Sequence, residues 1–263
     1  MSPSYSIHDQ LDPARVEALH HTLSLSGDAP VAGDPVPPFW HHIYFWQPRP
    51  PRDLGPDSHI KTGTGLIPDM GLPQRMWAGG RLIFHTPLII GTPARKTSNV
   101  EETTRKTGRS GPLAFVTVRH EYRQNDQICV TEHQSLVFKN FPKKGQLSET
   151  QFARTDELTC QPATFPPTLL FRYSALTFNG HRIHYDVDYC RDVEGYSGLV
   201  VHGPLLAQSL MQIAQTHLGS LNTFTFRAFS PLMHFETAEL CRNGADLWVR
   251  GPDGRLCMAA TAT

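Results

Sequence analysis

The chain has 263 residues, and its 24 Lys and Arg balance 24 Asp and Glu. A net charge of zero lacks the electrostatic footprint of a nucleic-acid binder. No run approaches the roughly 18 apolar residues of a membrane span, so neither nucleic acid nor membrane is expected as a partner. With 39% hydrophobic and 18% charged residues the composition is globular, and the length suits one large domain or two.

Five scattered cysteines, Cys129, Cys160, Cys190, Cys241 and Cys257, contain no CxxC and are odd in number. They read as free thiols in a reducing compartment. The first eleven residues carry no apolar signal core and no arginine. A cytoplasmic location is therefore the default expectation, with a mitochondrial one as the alternative.

In chain order, the first expected element is a short helix. Asp12 can cap it, Pro13 suits its first turn, and Val16, Leu19 and Leu23 share a face. After a Gly/Pro-rich stretch (27–38) comes Pro38-Phe-Trp-His-His-Ile-Tyr-Phe-Trp-Gln-Pro48, apolar on most sides, which suggests a buried helix. Residues 48–76 hold six prolines and four glycines. A structureless loop of that length inside a compact domain is often functional. Four strand-like runs follow at 79–90, 93–107, 111–123 and 127–139, divided by turn residues, and read as an antiparallel meander. Residues 140–167 read as a linker.

The second half opens on Leu169-Leu-Phe-Arg-Tyr-Ser-Ala-Leu-Thr-Phe178, expected as a strand. Gly198-Leu-Val-Val-His-Gly-Pro204 then leads into the strongest helix signal, with Gly203 and Pro204 at its start and Gly219 at its end. Leu205, Leu206, Leu210, Ile213, Ala214 and Leu218 spread apolar surface around that helix, so it must be covered on nearly all sides. Strands return around 223–240, 246–251 and 256–262, with Pro252-Asp253-Gly254 as a hairpin turn. A weak echo, Arg81-Leu-Ile-Phe-His-Thr-Pro87-Leu88 against Arg227-Ala-Phe-Ser-Pro231-Leu232, suggests two related α+β units.

Polar density peaks at Phe178-Asn-Gly-His-Arg-Ile-His-Tyr-Asp186. Such a cluster is costly to bury without a purpose. His181 and His184 offer acid/base groups near neutral pH. Asn179 and Asp186 could orient a water or an imidazole. The Val201-His202-Gly203-Pro204 helix start presents free N–H groups where negative charge develops favourably. Pro204 has no N–H, so Gly203 is the natural donor. His41-His42 and His181/His184 lack a Cys or Glu at zinc spacing, so neither metal nor cofactor is expected. There is no GxxxxGK[ST] loop, and no GxGxxG follows a strand.

The segments 178–186 and 198–205 resemble MaoC-type hot-dog hydratases and dehydratases. The closest pattern is the double hot-dog branch of mesaconyl-C4-CoA hydratases and fungal 3-hydroxyacyl-thioester dehydratases. Residues 38–45, 75–81 and 108–120 resemble the same branch, so the likeness covers most of the chain. It implies an α+β double hot-dog: two fused units, each an antiparallel sheet wrapped around a long central helix. The units are expected at 1–145 (pocket-shaping) and 165–263 (catalytic).

The resemblance further implies addition or removal of water at an enoyl or 3-hydroxyacyl thioester. The family's histidine maps to His184 and its thioester-binding amide to Gly203. The family's aspartate position holds Asn179, which cannot take up a proton and is expected to position water. Around the substrate, His181, Tyr185, Asp186 and His202 are expected, with Asp186 as an auxiliary carboxylate. Arg81 and Arg227 are candidate clamps for a distal carboxylate. Arg105, Lys106, Arg109, Lys143 and Lys144 are candidates for a carrier phosphate. An acyl-CoA such as mesaconyl-C4-CoA is the expected substrate. The alternatives are an acyl-carrier-protein thioester, a polyketide intermediate, or acyl-thioester binding without chemistry. The fused pair forms one pseudo-dimer, and further pairing into a homodimer is expected.

Overall fold

The computed structural model describes residues 4–108, 111–141 and 150–263. Ten antiparallel strands form one sheet in the order β1-β3-β4-β5-β2-β7-β10-β9-β8-β6. The first unit holds β1 (Ser4–Asp9), β2 (Gln74–Phe84), β3 (Ala94–Gly108), β4 (Gly111–Gln124) and β5 (Gln127–Lys139). The second holds β6 (Thr159–Thr164), β7 (Thr223–Ala228), β8 (Thr237–Asn243), β9 (Asp246–Arg250) and β10 (Leu256–Ala262). The orders 1-3-4-5-2 and 6-8-9-10-7 are the same, so the chain is a fused pair of like units. The short echo is part of this repeat, because Arg81 lies on β2 and Arg227 on the equivalent β7.

The units join edge to edge where β2 pairs with β7, from Gly79↔Arg227 to Ile83↔Thr223. The pairs Gly79↔Arg227 and Arg81↔Thr225 exchange under the pseudo-twofold. A Cβ at Gly79 would stand 2.5 Å from the Phe226 carbonyl oxygen, so only glycine permits this seam. One core cluster runs across the join, with Leu82, Tyr122 and Val130 of the first unit packed with Phe224, Leu210 and Met258 of the second.

Helix α1 (Pro13–Thr22) forms as its signals dictate. The Asp12 carboxylate accepts from the Ala14 N–H at 2.9 Å, and Val16 and Leu19 are fully buried. Helix α4 (Gly203–Leu218) carries Pro204 in its first turn and ends at Gly219, whose φ is +76°. Leu205, Leu206, Ala207, Leu210, Met211 and Ala214 are buried on it, while Leu218 emerges at its last turn.

Four expectations are corrected. The apolar segment near Trp40 is buried, yet only Trp40–Ile43 is helical, as a 3-10 turn, so the first unit has no long central helix among the described residues. Phe39 and Phe45, at φ +73° and +60°, break the helical path on either side. The expected strand 169–178 is instead helix α2 (Pro167–Leu176). Pro167 opens it and Leu170, Tyr173 and Ser174 are buried at helical spacing; a short apolar run does not reveal its period. The linker contains β6, which pairs with β8 and closes the second sheet. Strand β1, paired with β3, has no counterpart among the expected elements.

All five cysteines are free. Among the described residues no helix is long and apolar enough to cross a membrane. Arg109, Lys143 and Lys144 lie outside the described residues; Arg105 donates to the Met70 carbonyl and Lys106 lies over the Phe115 ring.

Candidate active site

The turn after α2 places the polar cluster. Phe178 takes φ +51°, which reverses the chain, and the Asn179 N–H donates to the Ser174 carbonyl at 2.8 Å. The Asn179 Oδ1 accepts from the His181 N–H at 3.1 Å. A 3-10 turn, Arg182–His184, and a single helical turn, α3 (Val187–Tyr189), follow.

His184 is 6% exposed, and its Nδ1 lies 2.7 Å from the Val200 carbonyl oxygen. A carbonyl only accepts, so Nδ1 carries the proton and Nε2 keeps a lone pair. Burial lowers the His184 pKa to about 4, against the raising effect of that hydrogen bond, so the ring is neutral near pH 7. A neutral imidazole with a free Nε2 is a base ready to take a proton.

The helix start adjoins this ring. His202 caps α4, and its ring stacks on His184 with centroids 3.6 Å apart. The His202 Nε2 lies 2.8 Å from the Ser174 hydroxyl, which fixes the ring from α2. The Gly203 N–H makes no hydrogen bond with the described residues. It is an orphan donor at the positive end of a sixteen-residue helix. The neutral His184 ring and the unpaired Gly203 N–H, distant in sequence, are thus joined through the ring of His202.

A cavity of about 980 Å³ runs between the two units. Ser174, Asn179, Tyr185 and Pro204 line its second-unit wall, so the chain neighbours of both His184 and Gly203 border it. The 48–76 loop forms much of the rest, through Leu54, His59, Lys61, Leu66 and Arg75. Trp46 also bridges the units: its indole N–H donates to the Leu176 carbonyl at 3.0 Å, and its ring stacks on Phe178.

The far wall belongs to the first unit and is polar. Lys96 and Ser98 on β3, His120 and Tyr122 on β4, and Glu132 and Gln134 on β5 face inward at paired positions. Tyr122 donates to the Glu132 Oε2 at 2.8 Å, and the Nε2 atoms of His42 and His41 stand 3.3 and 3.5 Å from its carboxylate. Burial alone would raise the Glu132 pKa, but the imidazoles of His42 and His41 beside it outweigh that and hold the group well below the carboxylate range. Burial lowers His41 to about 4 and His120 to about 3. Lys96 forms no ion pair with the described residues, and burial pushes its pKa down, partly offset by Glu132.

Sequence reasoning missed this wall, although strand parity carried the signal. In β4, Ala114, Val116 and Val118 are buried at alternate positions, which places His120 and Tyr122 on the same face.

The remaining expected site residues separate. Tyr185 borders the cavity and donates to the Gly180 carbonyl. His181 packs between His184 and His59, at 5.4 and 4.3 Å between centroids. Asp186 does not supply a free carboxylate: its oxygens accept from the Tyr189 N–H at 3.0 Å and from the Arg182 guanidinium at 2.7 Å. Arg81 and Arg227 are exposed on the sheet face opposite the buried Leu82, Phe224 and Phe226, so neither reaches the cavity. Two carboxylate–imidazole trios also arise that linear spacing did not reveal. Glu132 joins His41 and His42, and Asp57 and His59 join His181, with the ligand atoms of each trio within 4.8 Å of one another.

The model for the family described as hydroxyacyl-thioester dehydratase type 2 matches residues 39–234. A Chloroflexus aurantiacus protein described as mesaconyl-C(4)-CoA hydratase is 41% identical, over 97% of this chain and 93% of its own. A mitochondrial hydroxyacyl-thioester dehydratase type 2 of Schizosaccharomyces pombe is 25% identical, over 95% and 93%. A solved structure from Mycobacterium tuberculosis, described as having a double hotdog fold, matches with TM-score 0.61 at 12% identity, over 99% of this chain and 94% of that one. At that identity the likeness concerns the fold.

Proposed function

Because the chain belongs to the hydroxyacyl-thioester dehydratase type 2 family, we propose that this hydratase/dehydratase adds water to an enoyl-CoA with a short dicarboxylic acyl group, such as mesaconyl-C4-CoA. The observation that carries the reading is one cavity bordered at one side by Tyr185 and Pro204, the chain neighbours of His184 and Gly203, and at the other by the Lys96 side chain. A plain alkyl chain would leave that polar wall unsatisfied. Trp77 separates the two ends: its indole stacks on His42, and its carbonyl oxygen lies 3.9 Å from the place of a Cβ on Gly203. A short acyl group suits that span. Arg49, Lys61 and Arg75 border the cavity and offer positive charge to the phosphates of the carrier.

In the proposed reaction the thioester oxygen accepts from the Gly203 N–H. His184 Nε2 removes a proton from water as the oxygen bonds to C3. The C2–C3 π pair becomes a C1–C2 double bond as the carbonyl π pair moves onto the thioester oxygen. The helix end holds the resulting enolate, and the proton held by His184 is the one then returned to C2. Protonation of C2 restores the carbonyl, so one water is added and His184 ends neutral. Asn179, its Oδ1 engaged in the turn, presents its amide to the water or the substrate.

The experiment compares mesaconyl-C4-CoA with crotonyl-CoA by the loss of enoyl absorbance. The expected result is a kcat/KM at least tenfold higher for the dicarboxylic thioester. Equal values, or a preference for crotonyl-CoA, overturn the substrate class. Faster turnover of carrier-protein thioesters favours the acyl-carrier-protein alternative. Binding of several thioesters without an absorbance change favours a non-catalytic binder.

A further inference from the structure

His184 stands in a group of four imidazoles. His181 and His202 touch it from either side, and His59 packs on His181. When a buried base takes a proton, the new positive charge is costly unless an opposite charge is near. The His184 Nδ1 donates to a neutral carbonyl, which supplies none. Asn179 is uncharged, and both oxygens of Asp186 are engaged by Arg182 and the Tyr189 N–H. Glu194 lies farther along the chain and accepts from Gln74.

A further carboxylate among the described residues stands beside the cluster, and it comes from the other unit. Asp57 Oδ2 accepts from His59 Nδ1 at 2.9 Å, and its Oδ1 accepts from the His59 backbone N–H at 3.1 Å. An ionised carboxylate only accepts, so His59 carries its proton on Nδ1 and keeps Nε2 as an acceptor. The ligand atoms of Asp57, His59 and His181 all lie within 4.8 Å of one another, a span that one water can bridge.

The junction is built into both segments. The Arg182 N–H donates to the Asp57 carbonyl at 3.1 Å, and the Arg182 guanidinium to the Pro56 carbonyl at 3.2 Å. A Cβ on Gly180 would stand 3.2 Å from the Ser58 carbonyl oxygen, so the loop lies hard against the histidine turn. Within the loop, the Gly55 N–H donates to the His59 carbonyl at 2.7 Å. The charged group facing this pair from β2 is Arg75.

We propose that Asp57 and His59, carried by the first unit's long loop, are positioning residues for the proposed hydration, and that Asp57 is the charge partner that lets the His181/His184 pair hold a proton in transit. The first unit thereby contributes to the chemistry as well as to the pocket. The inference rests on the hydro-lyase reading and extends it. Burial alone would raise the Asp57 pKa, but the hydrogen bonds from the His59 ring and backbone hold it well below the usual carboxylate range, so its charge is present at neutral pH.

The test uses the full-length protein with Asp57→Asn and Asp57→Glu, assayed with mesaconyl-C4-CoA and crotonyl-CoA. An opposite charge near a titrating group shifts its equilibrium by about one to three pKa units, each a factor of ten. Asp57→Asn is therefore expected to lower kcat about 10- to 1,000-fold with KM changed less than threefold, and Asp57→Glu to recover most of it. In ¹⁵N spectra at pH 7 the His59 ring is expected as a single Nδ1–H tautomer in wild type and as a mixture in Asp57→Asn. An unchanged kcat in Asp57→Asn, a rise in KM alone, or an unchanged His59 tautomer overturns the inference while the hydro-lyase reading stands. A wild-type protein that hydrates no enoyl thioester overturns that reading, and the inference with it.

Discussion

His184 and His202 lie face to face, their centroids 3.6 Å apart and their planes within 20° of parallel. The contact links a turn that follows α2 to the cap of α4, and it ties His184, the proposed base, to Gly203, the proposed donor, by one peptide. Two rings this close cannot both be protonated without strong repulsion, and burial holds both below the usual imidazole range.

From this geometry His184→Gln is expected to lower kcat for enoyl-CoA hydration about 100- to 10,000-fold, the range of a lost general base. Glutamine fills much of the same volume, so far-UV circular dichroism should be unchanged. Turnover within threefold of wild type would remove His184 from the reaction.

The buried histidines make stability depend on pH. His41 and His184 titrate at about 4 and His120 at about 3 in the folded chain, each lowered first by burial. Unfolded, they titrate near 6.5, so below that pH the unfolded state binds more protons and stability falls as pH falls. The contribution is intact above pH 6.5 and is lost progressively toward pH 4. At pH 5 the loss is roughly 1–2 kcal/mol for each ring. Urea midpoints at pH 7.5 and pH 5 check this; a higher midpoint at pH 5 contradicts it.

Lys96→Met is expected to raise KM for mesaconyl-C4-CoA about 10- to 100-fold, the worth of one charge-assisted hydrogen bond. For crotonyl-CoA it should change KM less than threefold. Arg81→Ala and Arg227→Ala, which alter the outer face of the sheet, should leave both values unchanged. Steady-state kinetics with the two substrates separate these outcomes.

Gly203→Ala probes the helix start. A Cβ there meets only the Trp77 carbonyl oxygen at 3.9 Å and the Met258 methyl at 4.0 Å, which is ordinary contact. The melting temperature is therefore expected within about 2 °C of wild type or slightly higher, since alanine favours a helix. A tenfold or larger fall in kcat/KM at that stability would show that the glycine serves substrate approach. Unchanged kinetics would show that it is helix punctuation.

Legibility in the sequence followed the range of the interactions. Strands β3 to β5 and helix α4 were readable because alternation, turn residues and the Gly203-Pro204 and Gly219 boundaries act within a few residues. Helix α2 was not, because ten mixed apolar residues fit either period and the Pro166-Pro167 start was the only local arbiter. The loop at 48–76 announced itself by composition, but nothing local indicated that Asp57 and His59 would meet His181.

The sequence by itself determined the α4 helix and the polar turn that carries Asn179, His181 and His184, since each is written in local spacing, and only hinted at the two repeating units through a weak echo. Tertiary structure alone decided that Arg81 and Arg227 face outward, that Glu132 joins His41 and His42, and that Asp57 stands beside the histidines. Those outcomes depend on strand register and on a loop from one unit docking against the other. Both are set by the packing of segments far apart in the chain.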